Sequence, residues 1–394
     1  MSEPLSASEA DELYFDHAAT TPVDPAVAAR VSECLCDPRL QGNPSSTGHR
    51  AGRRARALVE SARVQLAAAV GADPAGIVFT SGATESDNLA VLGAARFNAH
   101  RGRHVVSAKT EHKAVLDALA LLGRDGFEIT LLKPANDGIV QPDQVAAALR
   151  EDTVLVSLMQ VNTEIGVIQD VAAVGRLCRE RGVLLHVDAA QSVGKIRVDV
   201  DAMQADLVSF SAHKAYGPKG IGALWIRPQP RVGLEPLLRG GGQERGLRSG
   251  TLATHQIVGM AAAFAIAAEQ LETDSLRIGA LGRRLLAGLE AIGGIELNGH
   301  RDQRVPGIVN VAVHGVEGES LRLALDGIAL SSGSACATAS DAGSYVLRAL
   351  GRSDLLAESS LRFSLGRHTS EADVDAALAI AARGIARLRA LAPA

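Results

Sequence analysis

The sequence predicts an α/β protein: a large domain on a mostly parallel, seven-stranded sheet covered by helices, and a smaller α+β domain after it. Three observations carry this expectation. Short β-rich runs alternate with Ala/Leu-rich stretches over the first two-thirds of the chain. The strand candidates are nearly all apolar, as strands covered on both faces must be. The 394 residues exceed one ordinary core, at roughly 100–200 residues per domain.

In chain order, the strand candidates are Ile77–Thr80, His104–Ser107, Glu128–Leu132, Thr153–Met159, Val183–Val187, Leu207–Phe210 and Ala223–Ile226. Each is a short run rich in β-branched or large apolar side chains. Around them, Arg53–Val70, Glu85–Asn98, Ala114–Leu122, Gln144–Arg150 and Val171–Arg181 have helical composition. Strand–helix alternation favours parallel pairing, and ligands of such sheets bind at the carboxyl ends of the strands. From Gln256 to Ile292 the pattern is helical throughout, long enough to bridge two domains, and it stops at Gly293-Gly294. Beyond it, Ile308–Val313, Ile328–Ser331 and Leu361–Ser364 read as strands, with helices at Glu319–Leu325 and Glu371–Leu388.

Apolar residues at 47% and charged residues at 21% exclude wholesale disorder. A net charge of −4 gives no overall attraction to nucleic acid or anionic lipid. The longest apolar run, Ile257–Ala268, is well short of the ~20 residues that span a bilayer. The N-terminal stretch is acidic, with Arg30 its first basic residue, unlike a secretory or transit segment. Four cysteines (Cys34, Cys36, Cys178 and Cys336) make no disulfide framework. These features predict a cytoplasmic protein without membrane or direct nucleic-acid contacts. Of the 40 basic residues only six are lysine: Lys109, Lys113, Lys133, Lys195, Lys214 and Lys219. A lysine retained in an arginine-rich chain is a candidate for chemistry closed to guanidinium, losing a proton and attacking a carbonyl. Biased base composition is the alternative.

The polar clusters follow the apolar runs. Ile77–Ser86 reads as strand, small-residue turn and helix start, where backbone N–H groups with Ser81 or Thr84 form an anion cradle; an ordinary capping turn is the alternative. Asp188 stands at the mouth of the strand Val183–Val187 as a buried carboxylate needing a partner, or as the cap of a following helix. Lys214 follows Leu207–Phe210, beside Ser211 and His213, and reads as a site lysine or a solvated loop cation. His112 and Asn162 each follow a further strand. Cys336 lies among Ser, Gly and Ala in Ala329–Ser340, a setting that leaves a thiol exposed and reactive, or inconsequential. Arg362 is a lone arginine in an apolar strand, suited to a substrate carboxylate or a structural ion pair. Walker, G-x-G-x-x-G, H-E-x-x-H and C-x-x-C patterns do not occur, so neither a nucleotide nor a zinc site has support. Jointly, an anion cradle, a strand-end Asp and a strand-end Lys are the parts that hold pyridoxal phosphate: cradle for phosphate, Asp for the ring nitrogen, Lys for the Schiff base.

With these residues in hand, the chain closely resembles the cysteine desulfurases of the iron–sulfur assembly type, pyridoxal-phosphate enzymes of the aspartate-aminotransferase fold (fold type I). The resemblance runs from Tyr14-Phe-Asp-His-Ala-Ala-Thr-Thr-Pro to Arg387-Leu-Arg. It includes Phe79-Thr-Ser-Gly-Ala-Thr-Glu-Ser, Lys109-Thr-Glu-His-Lys, Gly240-Gly-Gly-Gln-Glu-Arg-Gly-Leu-Arg-Ser-Gly-Thr and Ser331-Ser-Gly-Ser-Ala-Cys. It implies a large cofactor domain over 22–270, and a small domain over 1–21 and 271–394 that carries the cysteine loop. It implies further that Lys214 binds the cofactor covalently, Asp188 pairs with the pyridine nitrogen, Gln191 with the phenolic oxygen, and His112 stacks on the ring. Ala83, Thr84, Ser211 and His213 would hold the phosphate, with Thr251 donated by the second subunit of a homodimer. Asn162 and Arg362 would hold the carboxylate of L-cysteine, with Asn43 nearby. Lys214 would move the α-proton, Cys336 would attack the substrate sulfur and keep it as a persulfide, and alanine would leave. His112 would take the thiol proton.

Two positions depart from the family pattern: Thr163 replaces a common asparagine and Ala212 a common glycine, and both are expected to tune the site modestly. The chain ends at Pro393-Ala394, whereas many relatives continue into a tail that docks the iron–sulfur scaffold, so the resemblance does not carry docking by that route. A transaminase has no use for the Cys336 loop, and a binding-only scaffold has none for Lys214 and Asp188.

Overall fold

The computed structural model describes residues 12–331 and 343–391. In chain order its first half comprises β1 (Leu13–Tyr14), α1 (Pro25–Cys36), α2 (Arg50–Ala69), β2 (Ile77–Thr80), α3 (Ala83–Phe97), β3 (His104–Ala108), α4 (Lys113–Arg124), β4 (Glu128–Leu132), α5 (Pro142–Ala148) and β5 (Thr153–Met159). Then follow α6 (Val171–Arg181), β6 (Leu184–Asp188), β7 (Leu207–Ser211), β8 (Gly222–Ile226), α7 (Thr254–Ala291), β9 (Ile295–Leu297) and β10 (Ile308–Val313). The chain closes with α8 (Gly318–Ala324), β11 (Ile328–Ala329), α9 (Tyr345–Ala349), α10 (Asp354–Glu358), β12 (Ser360–Ser364) and α11 (Glu371–Leu391).

All seven strands expected of the large sheet are present, in the order β2-β8-β7-β6-β5-β3-β4. Pairing is parallel from β7 through β4. Only β8 runs against both its neighbours, β2 and β7. Every residue of β2, β3, β5, β7 and β8 is buried, which explains their mostly apolar composition. β4 forms an edge and is partly exposed. One core, with Leu66, Phe210, Trp225 and Phe264, covers one face, and a second, with Leu89, Leu119 and Leu122, covers the other. Several helices begin one to three residues before the sequence suggests, because their caps lie upstream. The His49 ring accepts from the Gly52 N–H, and Pro142 opens α5.

The small domain has its own core, built on Leu281, Leu285, Val311, Phe363 and Ile385. Its sheet is antiparallel, β12-β10-β9. β1 had no distinct sequence signal; it forms by pairing in parallel with β11, and Phe15 enters the small-domain core. Helix α7 contributes Ile257 and Phe264 to the large core and Leu285 and Leu289 to the small one, so the boundary expected at 270 falls inside one continuous helix.

Candidate active site

The carboxyl ends of β2, β3, β5, β6 and β7 converge on one cleft of about 810 Å³, within the range of small-molecule sites. Its walls include Ala83 and Thr84 at the start of α3, His112 after β3, Asp188 at the end of β6 with Gln191 beyond it, and Ser211 at the end of β7 with His213 and Lys214 beyond it. Arg362 from β12 closes it from the small domain. Parallel strands deliver these residues together because successive crossovers return each strand in the same direction.

Helix α3 starts at Gly82 without a side-chain cap. A Cβ placed on Gly82 meets nothing within 4 Å. Glu85 Oε2 accepts the Ser81 N–H just before the helix at 2.7 Å, while the backbone of Gly82, Ala83 and Thr84 lines the cleft without a side-chain cap. Asp188 is buried at 7% exposure and caps no helix; its Oδ1 accepts from the Ala190 N–H at 2.9 Å within a turn. Behind it, burial and then the Asp188 charge push the Asp87 and Glu111 carboxyls well above the usual carboxylate range. Lys214 is half-buried, not a solvated loop cation. Burial, then the Lys214 charge, lowers His213 to about 4, so its imidazole is neutral at pH 7. His112 is also shifted down, mainly by burial, and its Nδ1 accepts from the Ala114 N–H at 3.2 Å, which fixes the ring at the start of α4.

Arg362 forms a structural ion pair. Its Nη2 donates to Asp16 Oδ1 at 2.7 Å and its Nη1 to the Thr163 carbonyl at 3.0 Å, while the buried Nε has no protein partner. Two of the five N–H donors of the guanidinium are thus engaged, and the Nε–H is among those left over. Thr163 is more deeply engaged than its treatment as a minor departure suggests: its Oγ1 also accepts from Gln191 Nε2 at 2.9 Å. Ala212 is fully buried, with its Cβ 2.9 Å from where a Cβ on Gly217 would lie.

Three expected residues stand apart from the cleft. Asn162 is buried beside it with its amide engaged internally, donating to the Thr110 carbonyl and accepting from the Glu164 and Ile165 N–H groups. Asn43 is exposed, and its Oδ1 accepts from the Ser45 N–H. Thr251 is exposed. Cys336 lies outside the described residues, but its flanks are at the cleft: Gly343 lines it, and Ser331 exchanges backbone hydrogen bonds with Arg362.

The chain matches the family model Aminotransferase class-V over residues 13–377. Cysteine desulfurase IscS of Aeromonas hydrophila is 56% identical over 97% of this chain and 94% of that relative. This chain belongs to the cysteine desulfurases of the class-V aminotransferase family. Among solved structures, a NifS-like protein superposes with a TM-score of 0.89 at 35% identity, covering 96% of this chain and all of that one. SspA, solved in complex with cysteine, gives a TM-score of 0.80 at 35% identity over 91% of this chain and 99% of that one.

A cysteine desulfurase of this family depends on pyridoxal phosphate, and the residues present fit it. The uncapped α3 terminus suits the phosphate, the strand-end Asp188 suits a ring nitrogen, and the buried, unpartnered Gln191 Oε1 awaits a polar group. Sequence reasoning gave no role to Asp16, Asp87 or Glu164. Asp16 sat in a matched segment without a recognisable chemical context; only the fold reveals its partner.

Glu164 lines the cleft and carries a testable signature. Burial raises its carboxyl from 4.5 to about 7, with Ser344 and Arg362 partly opposing the shift. A raised folded value means that the native state holds a proton the unfolded chain has released. Its contribution is full below 4.5 and is lost as pH climbs through about 7. Relative to Glu164→Gln, which stays neutral, the wild type is expected to lose up to about 1.4 kcal/mol of stability per pH unit across that window. Urea midpoints of both proteins from pH 4.5 to 7.5 measure this, and parallel curves would show that Glu164 is ionised throughout.

Proposed function

We propose that the chain takes sulfur from L-cysteine, holds it as a persulfide on Cys336, and passes it to an acceptor protein for iron–sulfur cluster assembly or for thiolation of other cofactors or tRNA. The observation that carries the reading is the convergence of Lys214, Asp188 and Arg362 on one cleft with both flanks of the Cys336 segment at its rim. Pyridoxal phosphate, when bound, supplies the sink for the electrons released at the substrate α-carbon. Ala83, Thr84, Ser211 and His213 hold its phosphate, and Lys214 anchors it. Asp188 keeps the ring nitrogen protonated. Gln191, three residues after Asp188, would face the phenolic oxygen.

Arg362 receives the substrate carboxylate with the N–H donors that Asp16 and Thr163 leave over. Asn162, buried behind, shapes the turn that bears Thr163. Lys214 takes the α-proton, and neutral His112 accepts the thiol proton of Cys336. Only four residues stand between Ser331 and Cys336 in the sequence, and a chain step spans at most about 3.5 Å, so the thiol is within reach of the cleft. We assign the chain to a homodimer in the cytoplasm. Thr251, exposed on its own chain, is available to complete the phosphate site of a second copy; Asn43 has no contact with the cleft of its own chain. No helix among the described residues is long and apolar enough to cross a membrane.

Alanine formed from L-cysteine, with a thiol reductant present, tests the reading. Wild type is expected to form it and Cys336→Ala to fall to background. Equal alanine from both would sink the persulfide route, and none from wild type loaded with cofactor would sink the activity.

A further inference from the structure

Four of the six lysines, Lys109, Lys113, Lys133 and Lys219, are exposed; Lys195 and Lys214 are half-buried together. Lys195 follows the strand that ends in Asp188, on a turn closed by its N–H to the Ser192 carbonyl at 3.0 Å. Its Nζ donates to the backbone carbonyl of Lys214 at 3.1 Å. The two lysines share a second, smaller cavity with His17, Thr21, Tyr216 and Ser275, and no carboxylate lines it. The carboxylates of the adjoining network, Asp24 and Asp274, are both bound by Arg367, at 2.9 and 2.8 Å. His368 packs edge-on against Tyr216 and adds no negative charge.

We infer that Lys195 is a positioning residue for Lys214, holding its main chain from beneath and acting on its side chain as a second, uncompensated cation. The hydrogen bond locks the Lys214 peptide to the Asp188 connection, so the two strand ends keep their relative placement. Thr21 clamps the same turn from the other side, bonding the His213 carbonyl and accepting from the Tyr216 N–H. The charge acts on the neighbours second to burial. Burial, then Lys214, lowers Lys195 to about 7, and burial, then Lys195, lowers His17 to about 4. Lys214 also lines the main cleft, where the Asp87 and Asp188 carboxyls and the His112 and His213 rings lie. Across the smaller cavity, however, Lys195 faces it without a carboxylate, and two amines so placed disfavour each other's protonation. A lysine that must attack a carbonyl and then accept a proton is activated by such a neighbour.

The inference rests on Lys214 holding the cofactor, and the two can be tested apart. Borohydride reduction of the holoprotein, followed by peptide mass analysis, locates the cofactor; fixation anywhere but residue 214 overturns the reading of Lys214 itself. The absorbance of the Lys214-bound cofactor is then titrated with pH in wild type, Lys195→Gln and Lys195→Met. Gln keeps a donor for the Lys214 carbonyl without the charge; Met keeps neither. Both are expected to move the midpoint up by at least about 0.5 pH unit. Met is expected, in addition, to release the cofactor faster than Gln. Midpoints within about 0.2 unit of wild type in both variants would overturn the charge effect, and equal release rates would overturn the positional one. If Lys195→Met does not fold, Lys195→Gln alone decides the charge effect and Lys195→Arg, with a bulkier donor, replaces Met in the release assay.

Discussion

Lys214→Ala is expected to form alanine from L-cysteine at least about 10³-fold more slowly than wild type, and to bind pyridoxal phosphate without fixing it covalently. That loss corresponds to about 4 kcal/mol of transition-state stabilisation. Lys214 stands at the end of a fully buried strand, half-buried in the cleft, with its turn held by Thr21 and Lys195. Alanine at this position keeps the turn and removes only the amine, so the fold is expected to survive. Lys214→Arg is expected to fail as badly, because a guanidinium neither forms the covalent link nor gives up its proton near pH 7. Single-turnover alanine formation, with circular dichroism to confirm folding, measures the effect. A loss under about tenfold would show that another group moves the α-proton.

The largest expected effect on stability lies away from the reacting groups, at Glu244. Its carboxylate is buried against the Arg63 guanidinium through two bonds, of 2.9 and 2.8 Å, and accepts from the Phe79 N–H at 2.7 Å. Arg63 in turn donates to the Ile77 carbonyl and lies over the Phe79 ring. Glu244→Ala leaves a buried guanidinium with only Glu60, itself half-exposed to solvent, and leaves the Phe79 N–H without its partner. The expected cost is about 3–5 kcal/mol, read as a fall in the urea midpoint. A change below about 1 kcal/mol would mean that Glu60 takes over. The pair ties β2, which leads into the α3 anion site, to the loop bearing Thr251. Cofactor affinity is therefore expected to fall along with stability.

Much of this arrangement was legible in the sequence. The seven strands were readable because both faces of the sheet are covered, leaving uninterrupted apolar runs between helical segments. Asp188, Lys214, His112 and the Thr84 turn were readable because each stands directly after such a run. β1 and β9 were not readable: two or three residues carry no periodicity, and each exists only by pairing, β1 with the distant β11 and β9 with the neighbouring β10. Helix starts were misjudged where a cap lay upstream of the apolar pattern.

Other features required distances between residues far apart in the chain. Asp16 meets Arg362 across 346 positions, and Glu244 meets Arg63 across 181. Thr163 looked like a lone departure until its contacts with Gln191 and Arg362 were visible. The scarcity of lysine pointed to chemistry, but only the fold separates two half-buried lysines from four exposed ones. The sequence by itself determined the fold class, the cofactor and the residues that follow the strands, because local hydrophobic pattern and side-chain chemistry suffice for these. The partners of each buried charge were decided by tertiary structure alone, since a charge removed from water must be met by whichever groups the folded chain carries to it.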